Sequence, residues 1–222
     1  MSGPYPKGVK NKVAWDLGTL LDEDLVPASV TDRHAQAQME HVRDLNAWAA
    51  QTARIAKRKV PIFDPRSGGL GAHVLLLQQD PSRVAAYGSR VISRDNNDLT
   101  AHNTAALCDA VGLNYPDVLH WNVVPWWVQD PDIYVNGKPR TLIAEANMAL
   151  PYLREFLDLV KGSVTKVVLV GRQAERVWSQ LQSDPLVASF ESRACPHTSP
   201  LAYNNTENRQ KTKRVFEWAA RT

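Results

Sequence analysis

Thiols are scarce in this 222-residue chain, with Cys108 and Cys195 its only cysteines. Two are too few to ligate a typical iron–sulfur cluster, and no CxxC or His-rich spacing offers zinc a site, so neither metal nor cofactor is expected. In a reducing compartment two isolated thiols read as small buried hydrophobes rather than as a disulfide. Long apolar runs are missing too. Val74 to Leu77 and Val167 to Val170 are among the longest, suited to buried strands and far too short to cross a bilayer, so no membrane partner is expected. No hydrophobic core or small-residue cleavage site follows the lysines of Met1 to Lys12; no secretory signal is expected, and a cytoplasmic protein is. No GxGxxG or GxxxxGK[ST] loop follows any strand-like segment, which speaks against a nucleotide-binding protein built on Val167 to Arg172.

Hydrophobic residues make up 44% of the chain, enough for one sizeable core, and neither repeat nor low-complexity linker divides it. A net charge of +3 is compatible with a polyanionic partner. Basic clusters lie at Arg54 to Lys59 and Arg209 to Arg214, each equally readable as a solvated helix face.

Apolar residues at three- and four-residue steps predict one long amphipathic helix from Ser29 to Lys59. Strands are expected at His73–Gln78, Val118–Val124, Val164–Val170 and, more weakly, Ser189–Ala194. Helices are expected over Thr100–Val111, stopped by Gly112, over Thr141–Lys161 with a start or kink at Pro151, over Gln173–Ser183 and over Thr206–Ala220. Alternating strands and helices predict a single-domain α/β fold with a central, mostly parallel four-stranded sheet flanked by helices, since each parallel return needs a crossover. Residues 1–60 read as an N-terminal helical extension, and 61–222 as the domain proper. In such sheets ligands sit at the carboxyl ends of the strands, where Asp80, Asn122 and His197 would converge.

Three strand-end segments, Gln79-Asp80-Pro81-Ser82, His120-Trp121-Asn122-Val123-Val124-Pro125-Trp126 and His197-Thr198-Ser199-Pro200-Leu201, resemble in order and spacing those of the uracil-DNA glycosylase superfamily. The resemblance covers roughly residues 61–222. It implies a monofunctional DNA glycosylase, acting as a monomer, that flips a pyrimidine out of DNA and hydrolyses its N-glycosidic bond. Asp80 and His197 would then be catalytic. The Asp80 carboxylate would activate water and stabilise the cationic sugar, and His197 would donate a hydrogen bond to the departing base. Asn122, whose amide both donates and accepts, would read the base edge. Gln79, Tyr87 and Val91 would line the base site. Ser82, Ser199, Pro200 and the wedge residue Leu201 would meet DNA, with Arg209, Lys211 and Lys213 adding electrostatic attraction.

Read from residues alone, Asp80 could instead cap a turn, Asn122 could satisfy backbone groups and Leu201 could be buried. Trp121, Trp126 and Trp127 suit either core or pocket. Two departures from the pattern bear on the substrate. Val91 or Ile92 stands where family members place an aromatic ring that stacks on the base, and Ser82 replaces the tyrosine that excludes a C5 methyl. Uracil in a repair role and a bulky modified cytosine of phage DNA in an antiviral role therefore both stand, as does a catalytically silent DNA-binding relative.

Overall fold

The computed structural model describes residues 5–221. Helices α1 (Lys12–Asp16), α2 (Pro27–Ala35) and α3 (Glu40–Ala56) lead into a minimal strand, β1 (Ile62–Phe63), and the first core strand, β2 (Val74–Gln78). A π-helical turn, Val84–Gly88, precedes β3 (Val91–Ile92). Then come α4 (Leu99–Val111), β4 (Val118–Asn122), α5 (Leu142–Val160) and β5 (Lys166–Val170). The chain closes with α6 (Arg172–Leu181), α7 (Pro185–Ala188), β6 (Glu191–Cys195), α8 (Pro200–Tyr203) and α9 (Thr206–Ala219).

The expected four-stranded sheet is present, fully parallel, in the order β4-β2-β5-β6. Strand alternation divides the core between its faces. Leu75, Leu77, Leu119, Trp121, Val167 and Leu169 pack against α3, α5 and α6, whereas Leu76, Val118, Val168, Val170 and Cys195 pack against α4 and α9. Both cysteines are free and buried, with burial pushing Cys108 up to about 11 and Cys195 up to about 12.

A second ladder, β1 with β3, is parallel and only two residues long on each strand. Such brevity leaves no periodicity to read in the sequence. The long helix expected over Ser29–Lys59 is two helices, broken between Ala35 and Glu40. Neither glycine nor proline marks that break. Pro151, by contrast, sits inside a continuous α5.

Of the N-terminal helices α3 shares the main core, contributing Val42, Leu45 and Ala49, while Leu21 and Val30 pack with Val91 in a smaller cluster. Arg33 of α2 binds both oxygens of buried Asp64 at 2.6 Å and reaches Asp95 at 3.2 Å. The Tyr115 hydroxyl donates to Asp64 at 2.7 Å. Asn11 donates to the carbonyls of Arg94 and Asn96, and the Asn97 side chain accepts from the Lys10 and Asn11 N–H groups. The N-terminal segment thus grips the stretch Arg94–Asn97.

Candidate active site

Parallel register brings the first two loops together. Gln78 at the end of β2 stands opposite Asn122 at the end of β4. Beyond the strands the Val123 and Val124 N–H groups donate to the carbonyls of Gln78 and Gln79, at 2.8 and 2.9 Å. These bonds carry the pairing past the sheet and fix the distance between the two loops. A cleft of about 380 Å³ opens there, lined among others by Gln79, Asp80, Ser82, Asn122, His197 and Ser199. Three segments distant in sequence thus converge at one sheet edge.

The Asp80 carboxylate is held at both oxygens. One accepts the Val128 N–H at 3.0 Å and the other the Gln79 side-chain amide at 2.8 Å. Burial raises its pKa from the ordinary aspartate value, while those two donors oppose the rise. Gln79 still lines the cleft, but its amide is committed to Asp80, so it positions the carboxylate. Asn122 is 2% exposed and lines the cleft.

His197 accepts the Ser199 N–H at Nδ1, 3.0 Å away. A nitrogen that accepts carries no proton, so the neutral ring holds its hydrogen on Nε2. Burial lowers the His197 pKa, against the pull of Asp98, and favours that neutral form. The loop is anchored from both sides. Buried Thr198 shares a 2.9 Å hydroxyl bond with Thr104 of α4 and accepts the Asn103 amide at 2.8 Å, while Thr212 of α9 donates to the Pro196 carbonyl at 3.2 Å. Gly171, at φ +94°, passes directly beneath. A Cβ there would stand 2.9 Å from His197 Cδ2.

A model of the uracil DNA glycosylase superfamily matches residues 65–220, a span that takes in all three loops. The chain belongs to the uracil-DNA glycosylase superfamily. A comparison with curated proteins gave no match. Superfamily membership carries a DNA-glycosylase-like function, with DNA as the partner; it does not name the base.

Two expected base-site residues of this superfamily member lie elsewhere. Val91 is fully buried against Leu21 and Val30, because alternation along β3 turns it away and sends Ile92 to the cleft instead. Tyr87 lines a neighbouring surface hollow. Its hydroxyl donates to Asp130 and accepts from Lys59, whose ammonium lies 4.1 Å from the ring centre, and these contacts hold the ring outside. Trp121 and Trp126 belong to the core, whereas Trp127 lines the cleft.

Ser82 donates to Asp98, the N-cap of α4, at 3.1 Å. Ser199 stands at the N-cap position of α8 without a side-chain capping bond, Pro200 opens the helix, and Leu201 projects from it, 96% exposed. On α9 Arg209, Lys211 and Lys213 are all exposed. Lys211 pairs with Glu207 at 2.7 Å and Lys213 with Glu217 at 3.7 Å, so their charge is partly matched. Sequence reasoning offered Ile92 only as an alternative to Val91, and it missed Val128, Asp98, Gly171 and the cleft residues Ser93, Arg94 and His120. Two of these carried a local signal: Asp98 as a helix cap, and Gly171 as a glycine closing an apolar strand.

Among the described residues no helix is long and apolar enough to cross a membrane.

Proposed function

We propose that this protein is a monofunctional DNA glycosylase, working as a monomer, that hydrolyses the N-glycosidic bond of a flipped pyrimidine, with uracil as the base. The observation that carries the reading is the pairing, in one cleft, of a doubly held Asp80 with a His197 whose tautomer leaves Nε2–H free to donate. Water attacks C1′ while Asp80 takes its proton, and the C1′–N1 bond breaks. The electron pair leaves with the base, whose anion the His197 Nε2–H stabilises, and the proton taken by Asp80 passes through solvent to that anion, so the products are an abasic sugar and a free base. Asn122 reads the Watson–Crick edge, and exposed Leu201 fills the gap left in the duplex.

The test is release of uracil from a duplex oligonucleotide, scored as alkali-labile abasic sites. Asp80→Asn is expected to lower the single-turnover rate about 10²- to 10⁴-fold. His197→Ala is expected to lower it about 10²- to 10³-fold. Folding and DNA binding should be retained in both. A wild-type protein that binds DNA and releases no base from any substrate would be the silent relative instead.

Three features favour a second reading: Ile92 in place of a stacking ring, the small Ser82, and a cleft that runs inward past Asn122 to Arg94 and His120. Together they leave room for a C5 substituent. An Asn122 amide turned by half a rotation suits the N3 and N4–H of cytosine. On this reading the substrate is a modified cytosine of phage DNA, and the role is antiviral.

A further inference from the structure

Among the described residues four buried side-chain atoms have no hydrogen-bond partner: Arg58 Nε, His102 Nδ1, Glu145 Oε1 and His120 Nε2. Of these four residues only His120 lines the cleft. It is 5% exposed and stands two residues before Asn122 on β4. Alternation puts both side chains on one face, with His120 about 7 Å deeper. Val118, next on that face, is apolar and joins the α4–α9 core. An apolar residue at 120 would continue that packing, whereas an orphaned ring nitrogen at the inner end of a cleft works against stability.

The surroundings define what the nitrogen can take. Arg94 also lines the cleft and lies over the Tyr115 ring at 4.3 Å, and Tyr115 meets the imidazole edge-on at 5.6 Å. Burial and the Arg94 charge, opposed by Asp64, push His120 down to about 3, so the ring is neutral. A neutral ring beside a guanidinium suits a group that offers oxygen and repels one that is positively charged.

We propose that His120 is a specificity-determining residue that hydrogen-bonds an oxygen-bearing substituent on the C4–C5 edge of the flipped pyrimidine. The proposal rests on the glycosylase reading and deepens it. Asn122 reads the ring that uracil and its derivatives share, and His120 reads what the derivative adds.

Two matched oligonucleotide pairs test it: uracil against 5-hydroxymethyluracil, and cytosine against 5-hydroxymethylcytosine. For each pair the readout is the ratio of kcat/KM, substituted over plain. His120→Phe, which fills the space without the nitrogens, is expected to lower that ratio about 10- to 100-fold, and His120→Gln to restore part of it. A ratio that does not move in His120→Phe would assign the orphan nitrogen to an ordered water and overturn the proposal. So would an equal loss on both members of each pair with the fold intact by circular dichroism. If the wild type releases none of these bases, the glycosylase reading fails on its own, and oligonucleotide affinity decides the matter of His120. A binding preference for the substituted member that disappears in His120→Phe would uphold the proposal, and the same preference in both proteins would end it.

Discussion

At the scale of single residues, the proposed chemistry needs Asp80 ionised and His197 neutral, and both conditions are met by losing protons. Burial raises the first pKa and lowers the second. The rate constant kcat/KM should therefore climb as pH rises through the Asp80 pKa, above the ordinary carboxylate value near ~4, and be level around neutrality. His197 should add no limb near the usual histidine value of ~6.5. Gln79 makes the argument specific, because its amide favours the charged carboxylate. Replacing it as Gln79→Leu removes a donor and should move the acid limb to higher pH, read from a kcat/KM profile on the uracil oligonucleotide. An unmoved limb would mean that Val128 alone sets the carboxylate.

At the scale of elements, the His197 loop depends on the backbone beneath it. An alanine at Gly171 would combine a strained positive φ with a Cβ 2.9 Å from the imidazole. Gly171→Ala is expected to displace His197 and cost about 10²-fold in single-turnover rate. Fluorescence anisotropy should find DNA affinity nearly unchanged, and a rate loss matched by an affinity loss would point to a wider collapse. The elements that present the site were also the legible ones. Dense apolar runs announced β2 and β5, and because Asp80, Asn122 and His197 stand at or just past strand ends, one rule about parallel sheets gathered them. Through-space relations were not legible. A two-residue ladder decides that Ile92 rather than Val91 faces the cleft, a backbone N–H from Val128 completes the Asp80 cradle, and His120 is orphaned only because nothing nearby reaches it. None of these has a local pattern in the chain.

At the scale of the whole molecule, the N-terminal helices join the wall of the cleft to the rest of the core. Arg33 is the centre of that junction, since without it Asp64 and Asp95 would be left as buried carboxylates deprived of a principal countercharge. Arg33→Met is expected to destabilise the protein by roughly 3–5 kcal/mol in urea denaturation. A change below ~1 kcal/mol would mean that water or Arg66, which also reaches Asp95 at 2.9 Å, takes over the pairing. The fully parallel sheet has a further consequence, because Asp80, Asn122 and His197 all stand where strands leave it at one edge, and the opposite edge carries none of them. Gly162, in the turn that enters β5 there, has nothing within 4 Å of where a side chain would begin. Gly162→Cys therefore offers a handle for tethering the protein to a bead or a dye with the cleft facing outward, and single-molecule records of its passage along DNA should match those of the untethered protein.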